Sequence, residues 1–280
     1  MWLASYPKSG NTWLRAFLAN YLNNAETPAR INEWNVGFIA SARNSFEELV
    51  GVEASDLTPE QIENLRPMVY RLHAEDSQET LFRKVHDAYQ LTAGGEPMFP
   101  ADVTHGVVYI LRHPCDVAVS YAHHNSHSID RAIACMNNPH HTLAGRQDGV
   151  DVQLEQKLLT WSQHARSWLT SGLNCHVARY EDMHAQPLET FGAIVTFAGL
   201  GYDSARLQRA LEFSSFQELQ TQEARDNFNE RPPRAPNFFR QGKVGTWREI
   251  LSASQVAQIV DAHRDVMLQF GYLDREGNVL

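Results

Sequence analysis

Residues Gly106-Val107-Val108-Tyr109-Ile110-Leu111 form an uninterrupted apolar run of strand length. A strand apolar on both sides needs cover on both faces, which points to a parallel sheet between layers of helix. Its surroundings agree. Trp2–Tyr6 reads as a first strand, and Trp13, Leu14, Phe17, Leu18, Tyr21 and Leu22 then fall on one helical face. Leu81–His86 and Cys175–Arg179 read as further strands. Short apolar strands alternating with amphipathic helices predict an α/β fold, one domain over residues 1–280 with a central parallel sheet flanked by helices.

Helix boundaries are written in the capping residues. Thr58-Pro59-Glu60-Gln61 and Ser252-Ala253-Ser254-Gln255 are capping boxes, the first with proline at the opening helical position. The first helix is expected to break near Pro67, and the last to close at Gly271. A helix is expected from about Asp116, whose side chain would cap it after Pro114. Leu154, Leu158, Trp161, Ala165, Trp168 and Leu169 have the spacing of one long helix. Three stretches read as loops: Thr92–His105, Cys135–Asp151 and Thr221–Lys243, the last with Pro232, Pro233 and Pro236. Loops of that length in a compact fold are often lids or binding loops.

Composition excludes several functions. The 280 residues are 43% hydrophobic and 20% charged, as in a folded globular chain, and the net charge of −9 argues against a nucleic-acid surface. No apolar run reaches the roughly 20 residues of a membrane span. The first residues lack a basic and apolar leader, so no secretory signal and a cytoplasmic location are expected. The three cysteines, Cys115, Cys135 and Cys175, form no CxxC pair and suggest a reducing compartment. His123, His124, His127, His140 and His141 have no HExxH spacing and no cysteine partners, so a flexible histidine-rich lid is expected rather than a metal site.

Two strand–turn–helix junctions carry the chemistry. Tyr6-Pro7-Lys8-Ser9-Gly10-Asn11-Thr12-Trp13 lies after the first strand, where a helix N-terminus offers N–H groups to an anion. Gly10 allows close approach of the backbone, Asn11 and Thr12 add donors, and Lys8 adds charge. This is a P-loop-like nucleotide-binding architecture but not a Walker A loop, because the lysine precedes Gly10. The second junction is Arg112-His113-Pro114-Cys115-Asp116-Val117-Ala118-Val119-Ser120, an arginine at a strand end and a serine one helical turn on. Both can grip a phosphate.

Together with Arg240-Gln241-Gly242-Lys243-Val244-Gly245-Thr246-Trp247, these segments resemble the sulfotransferases that use 3′-phosphoadenosine 5′-phosphosulfate (PAPS). The motifs stand in family order over residues 6–248, and the chain looks most like bacterial members acting on small molecules. The resemblance implies sulfuryl transfer to a hydroxyl or amine of a small-molecule acceptor, adenosine 3′,5′-bisphosphate (PAP) as product, and no metal. It implies that Lys8 stabilises the leaving phosphate oxygen and that His86, in Lys84-Val85-His86, is the general base. Ser9, Gly10, Asn11 and Thr12 would hold the 5′-phosphosulfate. Trp13, Tyr180, Ser214 and Phe216 would surround the adenine. Arg112, Ser120, Arg240, Gln241 and Gly242 would hold the 3′-phosphate, with Gln241 in place of the usual lysine and Lys243 available two positions on. The acceptor pocket is expected between Asn23–Glu79 and the Cys135–Asp151 loop, the acceptor and the oligomeric state staying open. A P-loop kinase and a nucleotide-binding protein without turnover are the competing readings, the first distinguished by a need for magnesium.

Overall fold

The computed structural model describes residues 1–145, 151–232 and 235–280. Residues 146–150 of the Cys135–Asp151 loop and Pro233 of the third loop lie outside it. In chain order the elements begin with β1 (Trp2–Ser5), α1 (Asn11–Asn23), β2 (Phe38–Ile39), α2 (Arg43–Val50), α3 (Pro59–Glu75) and β3 (Arg83–Val85). The second junction contributes β4 (Val107–Leu111), α4 (Pro114–His124) and α5 (Ile129–Met136), followed by β5 (Thr142–Leu143) and β6 (Gln156–Lys157). Then come α6 (Trp161–Leu169), β7 (Cys175–Arg179), α7 (Tyr180–Ala185), α8 (Pro187–Phe197), α9 (Ser204–Phe213), α10 (Phe216–Asp226) and α11 (Ala253–Gln269).

Five strands form one parallel sheet in the order β2-β3-β1-β4-β7. β1 and β4 lie inside it, and their residues are all buried. Alternating side chains feed two apolar clusters. Leu3, Val108 and Ile110 join Phe17, Leu18 and Phe191 on one face, while Ala4, Val107 and Tyr109 join Trp161, Trp168 and Met267 on the other. This is the α/β fold with helices on both sheet faces. The carboxyl ends of β3, β1 and β4 lie side by side, and they deliver the Lys-Val-His segment and both junctions to one edge of the sheet.

Both capping boxes form, with reciprocal bonds between Thr58 and Gln61 and between Ser252 and Gln255. Pro67, however, does not break its helix: α3 continues to Glu75. Arg66 beside it makes two 2.8 Å bonds to Asp87, and Pro67, Val69 and Tyr70 are buried, so tertiary contacts outweigh the cost of the ring, roughly 3 kcal/mol. Leu154 and Leu158 are not helical. Gln156–Lys157 pairs with Thr142–Leu143 as an antiparallel ribbon, and the Thr160 capping box starts α6 only at Trp161. Both leucines are nevertheless buried, one in a cluster with Phe46 and Val69 and the other in the main core, which explains the misleading periodicity. The third loop begins later than expected, since Thr221–Asp226 belongs to α10.

Candidate active site

Above the carboxyl edge of the sheet opens a cleft of about 1430 Å³. Its floor is the β1–α1 turn. Gly10 takes φ +112° and no side chain caps α1, so the first amides of the helix remain available to a ligand. A Cβ on Gly10 would lie 2.6 Å from Tyr180 Cδ2, so only glycine lets the Tyr180 ring pack against this turn. The Arg112 guanidinium rests 4.2 Å above the same ring. Its Nη1 donates to the Lys8 carbonyl (3.0 Å) and its Nη2 to the Lys243 carbonyl (3.1 Å), while Nε is buried without a partner among the described residues. Arg112 thereby joins all three motifs. Asp116 reinforces the junction. It does not cap α4, because His113 holds that position and accepts from the Cys115 amide (3.2 Å). The Asp116 carboxylate accepts instead from Gly245 N (2.7 Å), Thr246 Oγ1 (3.1 Å) and Trp247 N (3.1 Å).

Lys8, Gly10, Asn11, Thr12, Trp13 and His86 line this cleft, as do Arg112, Ser120, Tyr180, Phe216, Arg240, Gln241 and Gly242. Three of the expected nucleotide ligands sit differently. Ser214 is fully buried, its hydroxyl bonded to the Ala210 carbonyl at 2.7 Å; Ser215, the α10 cap, faces the cleft in its place. Asn11 turns its amide inward to the Leu3 carbonyl (2.8 Å) and Ser5 Oγ (3.2 Å), so only its backbone N–H can serve a ligand. Ser9 is buried and is not among the residues lining the cleft, and its hydroxyl has no partner among the described residues. Gly242 takes φ +58°, and a Cβ there would overlap the Phe216 ring.

His86 follows β3. Its Nδ1 lies 2.9 Å from the Ser5 carbonyl, an acceptor only, so Nδ1 carries the hydrogen and Nε2 keeps its lone pair. Burial, with the charge of Lys84 beside it, holds the imidazole well below its usual 6.5 and therefore neutral. The backbone that carries it is fixed from three sides. His164 Nε2 donates to the His86 carbonyl (3.0 Å), Trp168 Nε1 to the Asp87 carbonyl (3.0 Å), and Arg66 grips the Asp87 carboxylate.

Lys8 takes φ +70°, a left-handed conformation, and sends Nζ to 3.2 Å from His124 Nδ1 and 4.3 Å above the Phe238 ring. Burial, then the neighbouring Lys84 and Arg112, lowers its pKa to about 7. Burial and the same lysines hold His124 at about 3, so it is a neutral acceptor for the Lys8 ammonium. Local sequence did not single out Lys84, Arg15 and Glu230 as a set. Glu230 accepts from Arg15 Nη1 (2.7 Å) and from Lys84 Nζ (2.9 Å) inside the cleft. Phe38 and Ile39 from one of the two segments expected to shape the acceptor pocket, and Thr142, Leu143 and Ala144 from the other, line the cleft.

The family model described as the sulfotransferase domain matches residues 1–271. The chain belongs to the sulfotransferase family. It is 24% identical over 273 residues to cytosolic sulfotransferase 17 of Arabidopsis thaliana, covering 92% of this chain and 71% of that one. To the flavonol 3-sulfotransferase of Flaveria bidentis it is 21% identical, over 92% of this chain and 78% of the relative. Among solved structures, retinol dehydratase in complex with androsterone and inactive cofactor PAP superposes with a TM-score of 0.63 at 20% identity, over 95% of this chain and 80% of the other. A mouse sulfotransferase complexed with PAP gives 0.59 at 18%, over 95% and 84%. These likenesses identify the fold as that of sulfotransferases, and the chain is an enzyme of that family. No helix among the described residues is long and apolar enough to cross a membrane.

Proposed function

We propose that this sulfotransferase moves the sulfuryl group of PAPS to a hydroxyl or amine of a small-molecule acceptor, with His86 as general base and Lys8 on the leaving oxygen. The observation that carries the reading is one cleft lined by four features: an uncapped helix N-terminus, an arginine whose buried Nε has no partner among the described residues, a lysine and a neutral histidine whose Nε2 likewise has none. The donor bears two separate anionic ends, and the cleft has two cationic regions to match. The turn amides from Ser9 to Thr12 receive the 5′-phosphosulfate. Arg112, Ser120, Arg240, Gln241 and Gly242 receive the 3′-phosphate. Trp13, Tyr180 and Phe216 flank the adenine.

The step is an in-line displacement. The acceptor O–H or N–H gives its proton to His86 Nε2 as the acceptor atom bonds to sulfur. The S–O bond to the 5′-phosphate breaks, its electron pair stays on the phosphate oxygen, and PAP leaves. Negative charge grows on that oxygen, and a fixed cation there lowers the barrier. Lys8 is that cation, since a polyanionic donor in the cleft raises its proton affinity above the value of about 7 in the free protein. His86 is neutral before the step, as a base must be. Residues 1–280 act as one catalytic domain, and the cytoplasm is the compartment we assign, in keeping with the name of the Arabidopsis relative.

The test is transfer of sulfur-35 from labelled PAPS to a panel of phenols, alcohols and amines, without metal. Lys8→Met and His86→Asn should each lose about 10²–10³ in turnover with folding intact. Transfer by either variant at the wild-type rate would remove its residue from the mechanism. A nucleotide that binds without any transfer would favour a non-catalytic protein.

A further inference from the structure

A cleft built for a polyanion has no evident need of a carboxylate, yet Glu230 places one there. It comes from the segment after α10, far in sequence from the residues it meets. Its two oxygens are divided between two cations, Arg15 on α1 and Lys84 on β3, at 2.7 and 2.9 Å. The two cationic side chains are only 8% and 13% exposed, while the Glu230 side chain, 33% exposed, reaches them from the open side of the cleft. Arg15 is itself held in place: its chain packs against Gly37, where a Cβ would lie 2.6 Å away, and its guanidinium lies 5.6 Å from the Trp34 ring centre. The segment carrying Glu230 is tied down beside it, with Asn229 N donating to Asn32 Oδ1 (2.9 Å) and Asn32 Nδ2 to the Asn227 carbonyl (2.9 Å).

We infer that Glu230 is a positioning residue for sulfuryl transfer: its carboxylate holds the Lys84 ammonium at the reaction centre and fastens residues 227–232 across the acceptor side of the cleft. The assignment rests on the sulfuryl-transfer reading above. Lys84, on β3, and His86, just after it, both line the cleft. Lysine is a flexible point charge, and only an oriented one contributes fully to a transition state. Arg15 supplies the second anchor, without which the carboxylate would follow the mobile lysine rather than direct it.

Glu230 also sets the local charge. Burial alone would raise its carboxyl; Lys84 and Arg15 overturn that and hold it at about 2, ionised at every working pH. Its negative charge opposes the loss of protons from Lys84 and from Lys8. The charged and titratable groups facing this region are Arg15 from α1, Lys8 from the turn, Lys84 from β3 and His86 just after it, Arg112 just after β4 and His124 from α4. With Glu230 neutral, Lys8, Lys84, His86 and His124 all lose an attraction that holds protons on them, and both lysines deprotonate at lower pH.

The experiment compares wild type with Glu230→Gln and Arg15→Met. PAPS consumption is followed with 2-naphthol as probe acceptor and, in its absence, as sulfate released to water; PAP affinity is measured by calorimetry. Glu230→Gln should lose about 10–100-fold in kcat, as misplacement of a catalytic group does, while PAP affinity changes less than about threefold. The alkaline limb of its pH–rate profile should move to lower pH. Arg15→Met keeps the carboxylate charge and removes a cation that lowers the Lys84 pKa, so it should lose turnover while that limb moves to higher pH, opposite to Glu230→Gln, and the double variant should be no worse than Glu230→Gln alone. A Glu230→Gln enzyme with wild-type kcat and an unmoved limb overturns the assignment while leaving sulfuryl transfer intact. A wild type that consumes no PAPS in either arm removes the transfer reading and this assignment with it.

Discussion

Replacing Gly10 by alanine tests the nucleotide turn at its tightest point. The new Cβ would meet Tyr180 Cδ2 at 2.6 Å, and φ there is +112°. The left-handed backbone costs an L-residue roughly 1–2 kcal/mol. Overpacking against the ring adds about 1–3 kcal/mol, for a total of roughly 2–5 kcal/mol. At this chain length that lowers Tm by about 4–10 °C. The ring can yield only by moving away from the turn, and Arg112 rests on it at 4.2 Å. Arg112 would then lose its seat, and a charge-assisted contact worth about 1.5–3 kcal/mol would weaken PAP binding roughly 10–100-fold. Calorimetric unfolding and PAP titration read both effects. The control is the same substitution in a Tyr180→Ala background, where the overlap is gone and only the backbone cost of about 1–2 kcal/mol should remain. An equal cost in both backgrounds would refute the idea that Tyr180 is what forbids a side chain here.

Other consequences are equally specific. Lys8 in the free enzyme is protonated below about 7 and loses its proton above it; kcat/KM for PAPS, which reports free-enzyme groups, should therefore fall as pH rises through about 7, and the profile of Lys8→Met should lack that limb. Arg66→Leu strands the Asp87 carboxylate, which is 1% exposed, and should destabilise the fold by about 3–5 kcal/mol in urea titration; a loss under about 1 kcal/mol would contradict the role given to that pair. Asp116→Ala removes the acceptor of three bonds from residues 245–247, so PAP binding should weaken about 10-fold or more with Arg112 untouched, as measured by calorimetry.

The parts of this site that could be read from sequence are those carried by local pattern. Lys8, His86 and Arg112 each follow a short strand, and in a parallel sheet strand ends converge on one edge, so their meeting followed from the fold class. The parallel order β3-β1-β4 places the three segments next to one another. Pairings between distant segments left no local trace. Arg15 and Glu230 are 215 positions apart, and Lys8 and His124 are 116 apart. Side-chain direction was also hidden. Asn11 in the turn could have faced either the cleft or β1, and the buried Leu3 carbonyl decided it. Ser214 and Ser215 differ only in which one caps α10. Pro67 and the Leu154–Leu158 spacing misled for the same reason, because burial against other elements decided the local structure there.

The central claim is that the cleft reads an adenine nucleotide bearing both a 5′ and a 3′ phosphate through Arg112. Calorimetric titration of the wild type and Arg112→Ala with PAP, with ADP, and with ATP and magnesium tests it directly. The account predicts tight metal-free binding of PAP by the wild type, ADP weaker by at least about 10-fold, and a gap between PAP and ADP that collapses in Arg112→Ala. PAP and ADP bound equally well, or binding seen only with ATP and magnesium, would contradict it.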